Sequence, residues 1–137
     1  MTVLVDTTVW SLALRRRPRS LSPAQERLVA EWRALVEDGR AALIGPVRQE
    51  ILSGVRDVEM FERLRLHLAG FDCLEIGLED HDQAARFYDS LRAVGVAGAA
   101  IDLAICAVAH RSDVPIFTTD RDFTRYARHL PIRLHEA

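Results

Sequence analysis

The chain has 137 residues, 49% of them apolar and 28% charged, with a formal net charge of −2. That length and balance describe one globular domain with a sizeable core, and the near-neutral charge lacks the global basic signature of a nucleic-acid-binding domain. No apolar run approaches the roughly 20 residues that a membrane-spanning helix needs, and the first segment lacks the pattern of a secretory leader, so a cytoplasmic protein with no membrane partner is expected.

Val3-Leu4-Val5 is a short apolar run that reads as a strand buried on both faces. Asp6 stands where that strand ends, followed by Thr7 and Thr8, both good helix starters. Ligands of an open parallel sheet bind outside the carboxyl ends of its strands. Asp6 is therefore either a helix cap or an acid placed for chemistry. A short helix through Trp10 and Leu14 follows and breaks at Arg15-Arg16-Arg17-Pro18-Arg19, read as a solvated loop or a phosphate-contacting rim.

Ser22-Pro23-Ala24-Gln25 carries the signals of a helix start, with Ser at the cap, Pro at the first helical position and Gln at the capping-box position. Leu28, Trp32, Leu35 and Val36 then share one face, and Gly39 ends the helix. Ala41 to Ile44 is a second strand. Gly45-Pro46 opens a helix that carries Glu50 about one turn in and closes at Gly54. Asp57 begins another helix, with Val58, Phe61, Leu64 and Leu68 at helical spacing. Phe71 to Ile76 is a third strand candidate. Glu79-Asp80-His81-Asp82 then has the acidic character of a first helical turn, which explains it better than a metal site does.

The helix from Ala99 to Ala109 is apolar all round except for Asp102. Such a helix is buried, and an unpaired buried carboxylate costs several kcal/mol or stays protonated. The helix dipole returns only about 0.3–1 kcal/mol, so Asp102 needs a partner, an opening or a cation. Val114 to Thr118 is a fourth strand, followed by Thr119-Asp120-Arg121-Asp122-Phe123 and a last helix through Tyr126 to His129; Pro131 to Leu134 is a short fifth strand. Strands alternating with helices imply an α/β fold: one domain over residues 1–137, with about five mainly parallel strands and helices on both faces.

Cys73 and Cys106 show no metal spacing and read as reduced core residues. All 18 basic residues are Arg, which removes any mechanism that needs a lysine. Asp6, Glu50, Asp102, Asp120 and Asp122 all stand just after strands or in first helical turns, and one sheet rim can hold them together. Four or five carboxylates in one cleft repel unless a cation is present. Oxygen-only ligands suit Mg²⁺ or Mn²⁺, and such a site supports metal-assisted phosphodiester hydrolysis.

Four segments in this order, Val5-Asp6-Thr7-Thr8-Val9-Trp10, Gln49-Glu50-Ile51-Leu52-Ser53-Gly54, Asp102-Leu103-Ala104-Ile105-Cys106-Ala107 and Thr118-Thr119-Asp120-Arg121-Asp122-Phe123, give the chain a resemblance to PIN-domain ribonucleases of the VapC toxin type. The resemblance implies a parallel sheet flanked by helices. It implies that Asp6, Glu50, Asp102 and Asp120 are the catalytic, metal-binding quartet, that Asp122 is an accessory acid, and that Thr7 and Thr118 are supporting hydroxyls. It further implies an Mg²⁺- or Mn²⁺-dependent endoribonuclease toxin that cuts structured RNA, with tRNA the expected substrate. It also implies a homodimer and a cognate VapB-type antitoxin whose basic side chain enters the acidic site. Trp10, Leu14, Leu28 and Trp32 either line a groove for that antitoxin or are plain core. Arg15, Arg16, Arg17, Arg48, Arg121 and Arg125 are candidate RNA contacts.

Other readings stand beside this one. A strand ending in an aspartate also opens haloacid-dehalogenase-type phosphatases and receiver domains, but Thr8 occupies the place of the second acid the former need, and the lysine both use is absent. A PIN nuclease of RNA processing without an antitoxin, and a non-catalytic PIN-like scaffold that binds RNA or a partner, are the remaining alternatives.

Overall fold

A computed structural model describes residues 1–15 and 18–136. Four short strands form one sheet: β1 (Val3–Val5), β2 (Ala41–Ile44), β3 (Asp72–Leu74) and β4 (Ile116–Phe117). Their order is β3-β2-β1-β4, and every pairing is parallel. Among the described residues, seven helices flank it: α1 (Thr7–Leu14), α2 (Pro23–Glu37), α3 (Gly45–Leu52), α4 (Val58–Leu68), α5 (Leu78–Ala93), α6 (Ala100–Ser112) and α7 (Asp122–Ala127). No helix among them is long and apolar enough to cross a membrane.

The local signals act as the sequence suggests. Ser22 and Gln25 form the reciprocal capping box of α2, and the Asp57 carboxylate accepts the Glu59 N–H at the start of α4. Gly39 ends α2 at a φ of 68°, a conformation that suits glycine. β1 is wholly buried, as are Ile44, Val47, Ile51, Leu91 and most of α6 from Leu103 to Ala109. Burying each such aliphatic side chain contributes roughly 1.5–3 kcal/mol, which fixes the sheet between its helices.

Two expectations change, and one open alternative is decided. The fifth strand reduces to a single parallel bridge between Leu134 and Ile116. The backbone bonds there are Ile116 N–H to the Arg133 carbonyl and His135 N–H to the Ile116 carbonyl, which leaves no length for a regular strand. Cys73 is exposed rather than core, because β3 lies at the edge of the sheet; Cys106 is buried as expected, and both are free thiols. Trp10 and Trp32 are core, 0% and 6% exposed, so they line no open groove. Their rings meet edge to face at 5.6 Å, Phe71 packs against Trp10 at 4.9 Å, and the Trp10 indole N–H donates to the Val5 carbonyl at 3.0 Å.

Candidate metal centre

Strand register builds the site. Val5 pairs with Phe117, so the next residues, Asp6 and Thr118, leave the sheet side by side. Asp6 is only 4% exposed. Its Oδ2 accepts two hydroxyl hydrogen bonds, from Thr8 and Thr118, each 2.8 Å long. Burial pushes the Asp6 carboxyl above its ordinary range, and the Thr118 and Thr8 hydroxyls oppose that rise. Thr118 also accepts the Asp120 N–H at 3.0 Å, and Asp120 Oδ1 accepts the Asp122 N–H at 2.9 Å. One chain of hydrogen bonds therefore runs from the first turn of α7 to the end of β1.

Thr7 has a different task. Its hydroxyl donates to Glu50 Oε1 at 2.6 Å, tying α1 to α3 and holding that exposed glutamate at the mouth of the cleft. Thr8, rather than Thr7, supports Asp6. The sequence places both threonines beside the acid; only the turn into α1 decides which one faces it.

Asp102 sits in the first turn of α6, and its Oδ2 accepts a hydrogen bond from the Tyr126 hydroxyl at 3.1 Å. Burial, reinforced by the charges of Asp6, Asp120 and Asp122, raises its carboxyl to about 6 against the partial opposition of Tyr126. The same burial and the Asp102 charge push the Tyr126 hydroxyl up, so it remains a donor at neutral pH. Burial, then the Asp102 charge, also raises the Cys106 thiol one turn further along α6, keeping it protonated.

The acids converge as two groups on one rim. Asp102, Asp120 and Asp122 each offer a carboxylate oxygen within 4.8 Å of the others. Asp6 and Glu50 line the same cleft of about 520 Å³, with Thr7, Thr8, Ser11, Gln25 and Leu28 as further walls. Three carboxylates this close repel one another, which adds to the effect of burial in raising Asp102. A hard divalent cation relieves it, and an all-oxygen donor set with room for water suits Mg²⁺ or Mn²⁺.

The arginines divide by position. Arg15 borders the opening beside Thr7, Ser11 and Glu50. Arg121 is exposed next to Asp120, and Arg125 pairs with Asp122. Arg48 bonds back to the Arg65 carbonyl at 3.4 Å and so bridges α3 to α4. Arg16 and Arg17 lie outside the described residues. The Glu79–Asp82 cluster is structural at its buried member: Asp80 pairs with Arg111 at 2.7 Å and accepts the Gly77 N–H at 3.0 Å. Burial works to raise the Asp80 carboxyl, but the Arg111 and Gly77 bonds outweigh it and hold it low.

Sequence reasoning had no role for Tyr126 in the site. Its position one turn after Asp122 was the available signal, but only the packing of α7 against α6 shows which acid it meets.

The PIN-domain family model matches residues 3–129. No curated protein sequence matches the chain. Among solved structures, the chain is similar to the FitAcB structure from Neisseria gonorrhoeae, with a TM-score of 0.76, 21% identity, and 98% of this chain and 97% of that one covered. It is also similar to VapBC2 from Rickettsia felis bound to a DNA fragment from its promoter, with a TM-score of 0.75, 16% identity, and 98% of each chain covered. A toxin–antitoxin complex from Klebsiella pneumoniae gives a TM-score of 0.66 at 17% identity, over 89% of this chain and 90% of that one. At these identities the likeness is one of fold.

Proposed function

The chain belongs to the PIN-domain family, and from that premise we propose that it is a divalent-metal-dependent endoribonuclease, the toxin of a VapC-type toxin–antitoxin pair. The observation that carries this reading is the meeting of acids from four separated segments in one cleft at the carboxyl end of a parallel sheet. The proposed substrate is structured cellular RNA, tRNA first, and the proposed place of action is the cytoplasm.

Asp102, Asp120 and Asp122 would hold the cation, which we take to be Mg²⁺ or Mn²⁺, with Asp6 and Glu50 lining the same cleft. When bound, such an ion polarises the scissile phosphate and makes a water easier to deprotonate. The chain's own groups do the rest. The Thr8 and Thr118 hydroxyls fix the Asp6 carboxylate in one orientation, so no reorganisation is needed as charge develops. Glu50, held by Thr7 through one oxygen and exposed at the cleft, is placed to take a proton from an attacking water. Arg15 and Arg121 at the rim supply positive charge for the flanking phosphates.

The neighbours named above include a toxin–antitoxin complex, which supports an antitoxin partner for this chain. We also propose a homodimer. An apolar groove of about 360 Å³ between α5 and α6, lined by Ala84, Ala85, Tyr88, Ala100, Ile101 and Ala104, supports it, because small residues let a second helix pair approach closely.

The test is cleavage of bulk tRNA by the purified chain in Mg²⁺, repeated with excess chelator and with Asp6→Asn. Discrete fragments in Mg²⁺ alone are expected. Undiminished cleavage in chelator, or by the variant, would overturn the reading.

A further inference from the structure

Asp80 and Asp102 occupy the same position in their helices, yet they behave differently. Each is the third residue after the N-cap, Gly77 for α5 and Ala99 for α6. An acid at that position usually folds back to accept the N-cap N–H, closing one of the unsatisfied donors of the helix start. Asp80 does so, taking the Gly77 N–H at 3.0 Å. Asp102 does not. Its Oδ2 is held instead by the Tyr126 hydroxyl, which donates to it at 3.1 Å.

Tyr126 is well held for such a task. It is 1% exposed, and its ring packs edge to face on Phe123 at 5.3 Å. Both aromatic residues lie on α7, the short helix whose first turn carries Asp122. The element that supplies one acid of the cluster thus also supplies the hydroxyl that restrains another.

We propose that Tyr126 is a positioning residue: its hydroxyl bond holds Asp102 away from the start of α6 and keeps that carboxylate turned toward Asp120 and Asp122. This rests on reading the acidic cluster as a cation site. Without that bond, Asp102 folds back onto the Ala99 N–H as Asp80 folds onto that of Gly77. The cluster then keeps the same composition but loses a convergent oxygen.

The variant that isolates this is Tyr126→Phe, which removes one oxygen and keeps the ring in the core. The measurements are Mn²⁺ affinity, from the free-ion signal in electron paramagnetic resonance, and the Mn²⁺ dependence of RNA cleavage. Outer groups that orient a ligand typically change metal affinity by 10–100-fold, so an affinity loss of about tenfold is expected. The Mn²⁺ concentration for half-maximal cleavage should rise by a similar factor, while the rate at saturating Mn²⁺ stays within about threefold of wild type. A merely structural role would lower the melting temperature and the saturated rate together and leave the affinity alone. Mn²⁺ affinity within twofold of wild type overturns the proposal. Asp102→Asn separates the two readings. If wild type binds Mn²⁺ and Asp102→Asn does not, an unchanged Tyr126→Phe defeats only the positioning role. If Asp102→Asn binds as tightly as wild type, or wild type does not bind, the cation-site reading falls and the proposal with it.

Discussion

Replacing Asp102 by Asn should make the metal-free protein more stable at alkaline pH, although it destroys the proposed site. Burial and the charges of Asp6, Asp120 and Asp122 raise the Asp102 carboxyl from 3.8 to about 6. With the folded value above the unfolded one, the folded state binds more protons between those two pH values. The stability Asp102 contributes is therefore complete below about pH 4 and is lost as pH rises through about 6. Two units correspond to about 3 kcal/mol at 1.36 kcal/mol per unit. Asp102 borders an open cleft, and solvent screening reduces this to about 1–2 kcal/mol. Asn keeps the shape and the acceptor for the Tyr126 hydroxyl while removing the charge. Urea unfolding with chelator present should show Asp102→Asn more stable than wild type by about 1–2 kcal/mol at pH 8, and the two equal near pH 4. Saturating Mn²⁺ should reverse the order, because a ligand at 100 times its Kd stabilises only the protein that binds it, by about 2.7 kcal/mol. A variant equal to or less stable than wild type at pH 8 without metal would refute the claim that burial and the neighbouring acids together raise Asp102.

Thr118→Val removes the hydroxyl that both donates to Asp6 and accepts from Asp120. A bond to a charged group is worth about 1.5–3 kcal/mol, so urea unfolding at pH 7 should show a loss of that size, together with a fall in cleavage rate; wild-type stability and rate would show that the hydrogen-bond chain does not matter. Asp80→Ala removes the buried partner of Arg111 and the cap of α5. It should cost about 2 kcal/mol of stability and leave Mn²⁺ affinity unchanged, and a weakened affinity would make the Glu79–Asp82 segment part of a metal site after all.

Much of this architecture is legible in the sequence. Ser22-Pro23-Ala24-Gln25 and Asp57 announce their helices because capping is local chemistry, fixed within four residues. The buried run Val3-Leu4-Val5 marks the central region of the sheet because only a strand covered on both faces is apolar without alternation. Asp102 stood out because a lone carboxylate in an apolar helix requires an explanation.

What stayed hidden depends on partners distant in sequence. Asp80 meets Arg111 thirty-one residues away, and that pairing, not its neighbours, makes it structural. Tyr126 reaches Asp102 across twenty-four residues, and Thr118 reaches Asp6 across one hundred and twelve. Trp10 and Trp32 have the same apolar spacing whether they face a core or a groove; the edge-to-face contact between them decides for the core. The fifth strand fails for a local reason that composition does not reveal. β4 is only two residues long, and the Leu134 segment meets it at Ile116 alone.

The central claim is that acids from separated segments hold one divalent cation, and anomalous diffraction from a crystal of the protein soaked in Mn²⁺ tests it most directly. A peak within about 2.0–2.3 Å of carboxylate oxygens of Asp102, Asp120 and Asp122 is expected, in the range of metal–oxygen distances for such ions. No peak in that cleft at saturating Mn²⁺, or a peak only at other acids of the surface, would contradict it.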